Sequence, residues 1–127
     1  MQIYNNLDVD ISKAYFAIMR WGWRDFDDFM QKYGEFKNTE VWTENASKIH
    51  NYFTRIGVLL KRNMIDSEIA SELFGHVIVK IWEKLASIIL EYRIRYSSDK
   101  WSQVEYLYPE LKPYRDKRLE QILSIHQ

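Results

Sequence analysis

The sequence contains no cysteine, and this absence excludes several kinds of site at once. Disulfides, iron–sulfur clusters, zinc sites with thiolate ligands and cysteine nucleophiles all require that residue. Stability therefore has to come from packing. The composition fits a reducing compartment, and we expect the protein to be cytoplasmic.

Glycine and proline are scarce, with four and two residues among 127, which excludes collagen-like and low-complexity chains. A chain of this length that is 46% hydrophobic can bury one substantial core. We therefore expect a single helical domain over residues 1–127, with disorder considered only for residues 1–7.

Neither charge nor hydropathy indicates a membrane or a strongly charged partner. The 18 basic residues balance the 18 acidic ones, so the formal net charge is zero. The longest apolar runs are far shorter than the ~20 residues that a membrane-spanning helix needs. The first residues also lack the basic and apolar regions of a signal peptide, so we expect no membrane span.

Hydrophobic residues recur at steps of three and four along most of the chain, which predicts an all-α bundle of four to five helices. Three helices are expected at about 8–33, 38–62 and 66–96. A short helix over about 101–108 would follow and end before Pro109, because proline cannot continue a helix. A last helix would begin near Pro113.

The second and third of these helices are separated by only a few residues, so they should lie antiparallel as a long helical hairpin. The bundle is expected to be built on this hairpin. Gly57 and Gly75 would then lie at nearly the same level, where we expect them to allow the two backbones to approach closely.

Aromatic residues are abundant, with five Trp, nine Tyr and six Phe. Trp21 and Trp23 are two residues apart, so on a continuous helix they would point to nearly opposite faces. Either the helix breaks at Gly22 or one of the two lies at an interface. This excess of aromatic surface favours self-association, and we expect a homodimer in which Trp21 and Trp23 are interface candidates.

Histidines and carboxylates give little support for catalysis or for metal binding. Glu72 and His76 have the spacing of two metal ligands on one helix, but no second pair accompanies them. Asp25, Asp27 and Asp28 are best explained as a solvated helix face. Phosphate-binding loops and nucleophile motifs are absent as well. We therefore expect no metal and no cofactor, and the balance is against an enzyme.

Basic and aromatic residues are interleaved in the last third of the chain. Such a surface can bind single-stranded nucleic acid, because bases stack on rings while cations contact phosphates. Glu91, Asp99 and Asp116 interrupt it, so this is an alternative rather than the main interpretation. The residues concerned are Arg93, Arg95, Lys100, Lys112, Arg115, Lys117 and Arg118.

Two further tryptophans differ in their expected roles. Trp82 falls at the edge of an apolar helix face and is more typical of a core residue than of a binding residue. Trp101 lies beside a loop and near Arg93 and Arg95 in sequence, which makes it a candidate partner-facing anchor. A third alternative is a small-molecule sensor or enzyme with an aromatic-lined pocket between helices, with Glu72 and His76 at its rim.

Four features of the sequence together resemble those of a known prokaryotic helical family: the segment from Asn51 to Asp66, a Trp in the middle of the following helix, an Arg at its end and the run from Val104 to Leu107. This family is the domain of unknown function 4760, and the resemblance covers about residues 41–111. It implies a helical fold and attaches no activity or cofactor. The positions that match are Trp82, Arg93, Arg95 and Glu105, which we take with Trp101 as candidate binding residues. The resemblance equally allows an Arg–carboxylate contact at the end of the hairpin.

The function itself stays unknown from sequence. The interpretation that fits best is a non-catalytic, self-associating interaction or regulatory module. Its alternatives are the nucleic-acid-binding protein and the protein with an inter-helix pocket.

Overall fold

The computed structural model describes residues 2–34, 44–96, 99 and 101–125, and the side chains within these ranges from Val9 onward. Those residues form five α-helices and no strand, so the predicted all-α bundle is confirmed. The helices are α1 (Gln2–Met19), α2 (Phe26–Tyr33), α3 (Glu44–Lys61), α4 (Ser67–Tyr96) and α5 (Ser102–Ile125). The predicted beginning of the second helix near residue 38 and the basic residue Lys100 lie outside the described residues.

One hydrophobic cluster contains side chains from all five helices. Each helix contributes at least one side chain that is fully buried: Ile18, Phe29, Phe53, Ile81 and Leu107. Burying such a side chain stabilises the fold by about 1.5–3 kcal/mol relative to leaving it exposed. No helix in the described residues is long and apolar enough to cross a lipid bilayer.

The long antiparallel hairpin of this bundle is formed by α4 and α5. These two helices make the most extensive contact in the fold, from Arg93 beside Glu105 near the connection to Gly75 beside Arg115 further along. The sequence analysis predicts a hairpin of α3 and α4 instead, and this pairing is wrong. In the structure α3 packs mainly on α1 and α5 and meets α4 in a smaller contact, which includes Phe53 and Phe74.

The prediction that Gly57 and Gly75 face each other is wrong, because each glycine lies against α5. A Cβ atom at Gly57 would lie 3.0 Å from the side-chain oxygen of Gln103. At Gly75 it would lie 2.9 Å from the Ser71 hydroxyl and 4.0 Å from Cβ of Arg115. The absent side chains therefore leave room for α5.

The prediction of a short helix that ends before Pro109 and a separate last helix from Pro113 is also wrong, since α5 is continuous through both prolines. Each proline lacks the N–H that would bond to the carbonyl four residues earlier. Both prolines lie on the exposed face of α5, where water can satisfy these carbonyls. On the opposite face Leu107 and Leu111 are fully buried and hold the helix to the bundle.

The first predicted helix is divided in two between Met19 and Phe26. Asp25 caps α2 by accepting a hydrogen bond of 2.8 Å from the backbone N–H of Asp28. The break does not depend on the conformational freedom of Gly22, whose φ is not positive and where an added Cβ would touch nothing within 4 Å.

The break also places both nearby tryptophans against α2. The ring of Trp21 stacks on Tyr33 at 4.2 Å between centroids, and Trp23 meets Phe29 edge-on at 5.0 Å. Both indoles are partly buried against the core. Packing within the chain is thus enough to explain their positions, and a role at an interface stays a prediction.

Candidate functional site

The two arginines at the end of α4 bind acidic side chains of neighbouring helices. Nη1 of Arg93 lies 3.1 and 3.2 Å from the two carboxylate oxygens of Glu105 on α5. Arg95 pairs with Asp27 of α2 at 3.1 Å and with Glu91 at 2.8 Å. These contacts join α4 to α5 and to α2, which gives both arginines a clear structural role.

Trp101 lies in the core rather than on a partner-facing surface, because its side chain is only 1% exposed. It has a left-handed backbone conformation with φ of 70° directly before α5, and its ring meets His50 of α3 at 5.2 Å. This position replaces the partner-facing one expected from the sequence. Trp82 is partly buried and lies 6.4 Å from the ring of Tyr108.

The basic surface expected from the sequence is divided between the two ends of α4. Arg93 and Arg95 lie at its C-terminal end, whereas the α5 cations lie beside its N-terminal half. Lys112 is paired with Asp116 at 2.5 Å. Three cations of α5 remain together, and they line a groove.

This groove of about 660 Å³ runs between the first half of α4 and the second half of α5. Ser71 and His76 are on its α4 side, and Leu119 and Ile122 are on its α5 side. The acidic wall is formed by Glu68 and Glu72 of α4. The basic wall is formed by Arg115, Lys117 and Arg118 of α5.

The two walls do not neutralise each other within one chain. In the described part of the molecule, no side chain of the acidic wall is ion-paired with one of the basic wall. Other carboxylates of the molecule do pair, as those of Glu91 and Glu105 show. The groove therefore offers both signs of charge to an occupant.

His76 connects this groove to α1. Its Nε2 atom lies 3.1 Å from the hydroxyl of Tyr15, a residue 61 positions earlier that is itself buried. Burial first, and then the charges of Arg115 and Lys80, lower the pKa of His76 below its usual value. Burial likewise raises the pKa of Tyr15. A neutral imidazole that accepts a hydrogen bond from a protonated phenol agrees with both shifts, so the Tyr15 hydroxyl is expected to donate.

Glu72 and His76 thus lie on the groove, at the pocket rim expected from the sequence, but the lining is mostly polar and charged rather than aromatic. In the residues that the structure describes, no three histidine, aspartate or glutamate side chains are grouped closely enough to hold a metal ion. Sequence reasoning missed Tyr15, which reads only as one apolar position of a helix.

Along the groove and just beyond it, the second half of α5 exposes its apolar side chains. Leu111 is the last buried residue of this helix. Leu119 and Ile122 are 41% and 38% exposed, and Leu123 is 62% exposed. These three residues follow the three-and-four spacing of one helix face, and the part of the chain described here does not cover them.

The fold and the site together define an all-helical bundle in which the central pair of helices leaves a charged groove open. The chain belongs to the family described as Domain of unknown function (DUF4760), whose sequence profile matches residues 8–110. This confirms the resemblance seen in the sequence. No curated protein and no solved structure matches the chain. The basic wall lies beyond the matched residues.

Proposed function

We propose that the protein is a non-catalytic interaction module that associates with a second copy of itself. The observation that carries this proposal is the exposed aliphatic face formed by Leu119, Ile122 and Leu123 on the second half of α5. The surface of association would be this face together with the adjoining groove.

The physical support is the cost of keeping such a face in water. Apolar area removed from water contributes roughly 25 cal/mol per Å², so covering several aliphatic side chains favours association. Clustered apolar surface next to polar residues is typical of interaction sites, whereas single exposed hydrophobic residues are ordinary. A second copy brings an identical face, and two-fold dimers are the commonest soluble oligomers.

The ion pairs described above also favour this function over one at the other end of the molecule. Arg93 and Glu105 contact each other across the α4–α5 hairpin. Residues used in this way stabilise the arrangement of the helices. The charged side chains of the two groove walls are, in the described residues, not ion-paired with each other.

The test is sedimentation velocity over a wide concentration range, starting from the 15.5 kDa monomer. The wild-type chain should show reversible dimerisation. The double variant Leu119→Gln/Leu123→Gln should dissociate while keeping its helical circular dichroism. Ile94→Gln is the matched control, because Ile94 is exposed at the other end of α4. A wild-type protein that is monomeric at every concentration would refute the proposal.

A second candidate is the binding of a small polar molecule in the groove. The observation in its favour is that Glu72, His76 and Arg118 line a concave site that carries both signs of charge. Native mass spectrometry of protein purified at low salt tests it directly. A retained small molecule that is lost in Glu72→Gln would favour this candidate over self-association.

A further inference from the structure

We propose that the groove determines how two copies meet, with the acidic wall of each copy against the basic wall of the other. This inference rests on the proposed self-association and specifies its geometry. The contacts would be reciprocal about a two-fold axis, so that Glu72 of one copy lies beside Arg118 of the second copy, and Arg118 of the first beside Glu72 of the second.

The charges on the two walls are spaced alike. Glu68 and Glu72 are four residues apart on α4, and Arg115 and Arg118 are three apart on α5. On a helix these spacings place side chains on one face, about 5–6 Å apart. The two charges of the acidic wall and two of the three charges of the basic wall therefore lie at a similar interval, and an acidic wall can meet a basic wall at both positions together.

The walls remain available to a second copy because their charges are not paired with each other within one chain. No ion pair joins Glu68 or Glu72 to the basic wall in the described residues. Their side chains are exposed, as are those of Lys117 and Arg118. An occupant that carries both signs of charge can satisfy both walls.

A second copy of this chain fits both walls better than other macromolecules do. A nucleic acid could use the basic wall, but its phosphates would be repelled by Glu68 and Glu72. A strongly basic segment would be repelled by Arg115, Lys117 and Arg118 in the same way. A second copy brings one wall of each sign, and two-fold symmetry places each opposite its complement.

The charges and the aliphatic face would contribute differently. Exposed ion pairs are individually weak, so the burial of Leu119, Ile122 and Leu123 would supply most of the affinity. The charges would select the orientation, because like charges brought together oppose every other arrangement of the same surfaces. The dimer should accordingly weaken as salt increases, since salt screens the exposed pairs.

The experiment uses two complementary charge-reversal variants. Glu68→Lys/Glu72→Lys makes both walls basic, and Arg115→Glu/Arg118→Glu reverses the two basic charges that the helix spacing matches to them. Each variant alone should dimerise at least about tenfold more weakly than wild type, because its walls repel those of its own copy. An equal mixture should form a one-to-one heterodimer at close to the wild-type affinity, since complementary walls then face each other twice.

Control variants carry the same changes of charge at exposed positions away from the groove. Asp99→Lys/Glu110→Lys matches the first variant, and Arg55→Glu/Arg62→Glu matches the second. Both controls should dimerise like wild type. Circular dichroism establishes that each variant is folded. If a reversal variant fails to fold, the neutral changes Glu72→Gln and Arg118→Gln replace it, and each should weaken the dimer and reduce its salt dependence.

The outcomes separate this inference from the proposed function. A monomeric wild-type chain would overturn both. Reversal or neutral variants that dimerise as wild type does would overturn the geometry proposed here and leave self-association standing. Folded monomeric reversal variants that fail to pair when mixed would also overturn it. Recovery of a heterodimer in the mixture would support it.

Discussion

The side-chain nitrogen of Lys84 on α4 donates a hydrogen bond of 2.8 Å to the carbonyl oxygen of Met19, the last residue of α1. A second hydrogen bond of 2.7 Å reaches the carbonyl of Trp21. The last carbonyls of a helix have no donor within that helix, so a partner from elsewhere stabilises its end. Lys84 thus holds the end of α1 and the start of the α1–α2 connection against α4.

Replacing Lys84 by Met keeps most of the aliphatic stem and removes both hydrogen bonds. We expect the free energy of unfolding to fall by about 1–3 kcal/mol, because partly buried carbonyls lose a charged donor. Urea unfolding followed by circular dichroism measures this loss. Lys80→Met is the control, since Lys80 is an exposed lysine one turn earlier on α4. Equal effects of the two substitutions would contradict the capping role.

Gly75 gives a second prediction, because a Cβ atom there would approach the Ser71 hydroxyl to 2.9 Å. That hydroxyl is buried and donates a hydrogen bond of 3.1 Å to the carbonyl of Leu111 on α5. The Ser71 side chain could avoid a methyl group only by giving up this bond. Gly75→Ala should therefore destabilise the protein by about 1–2 kcal/mol, although alanine favours a helix by up to about 1 kcal/mol over glycine.

The double variant Ser71→Ala/Gly75→Ala tests the cause of this loss. Removing the hydroxyl removes the clash. The free energy of unfolding lost in the double variant, measured by thermal or urea unfolding, should therefore be smaller than the sum of the losses in the two single variants. Strict additivity would show that the added methyl group meets something other than Ser71.

Local sequence was enough to predict α4, whereas it left the break before α2 as one of two alternatives for Trp21 and Trp23. The expected helix over 66–96 corresponds to α4 at Ser67–Tyr96. The hydrophobic spacing of the first helix continues without interruption through the break, because Phe26, Phe29 and Tyr33 keep it within α2. The residues at the break that bind Lys84 lie more than 60 positions before it in the sequence, so no local pattern indicates these contacts.

The continuity of α5 was missed for a related reason. Proline rules consider only the backbone, whereas the buried residues Leu107 and Leu111 on the opposite face hold this helix against α4. The pairing of α4 with α5 rather than α3 follows from that continuity, because a long α5 offers more surface than two short helices would.

The parts of the candidate site differ in how far the sequence could predict them. The contact between Arg93 and Glu105 was one of the two roles considered for these residues, and the structure shows it. Glu72 and His76 were expected at a pocket rim, but the basic wall opposite them was not predictable. Arg115 comes from a helix that the sequence analysis does not pair with α4, and the hydroxyl of Tyr15 reaches His76 from a third helix. The spacing of residues along the chain predicts which residues share a helix face, but it does not predict which helices are in contact.

A third prediction concerns pH and Asp28, a carboxylate buried at the start of α2. It accepts a hydrogen bond of 2.9 Å from the backbone N–H of Arg24, and Lys32 lies 3.1 Å away. The backbone hydrogen bond from Arg24 is the largest cause of the lowered pKa of Asp28, followed by Lys32. The carboxylate therefore favours its charged form in the folded chain.

Because the folded pKa of Asp28 lies below that of the unfolded chain, the unfolded chain takes up this proton first on acidification. The stabilisation is complete above about pH 4, the usual aspartate range, and is lost as the pH falls through the folded value. Asp28→Asn should thus lose less stability than wild type between pH 6 and pH 3 in urea unfolding. Asp99→Asn removes an exposed carboxylate as a control. Equal pH dependence in Asp28→Asn and wild type would contradict the assignment.

The last prediction is that Pro109 costs the protein stability inside α5. Proline at this position leaves the carbonyl of Glu105 without its usual donor, and a proline in a helix interior is about 3 kcal/mol less favourable than alanine. Proline also restricts the unfolded chain, which offsets up to about 1 kcal/mol. Pro109→Ala should therefore raise the free energy of unfolding by about 1–2 kcal/mol. The neighbouring exposed change Glu110→Ala is the control, expected within about 0.5 kcal/mol of wild type. An unchanged Pro109→Ala would mean that water already satisfies the Glu105 carbonyl fully and that α5 is not strained at this proline.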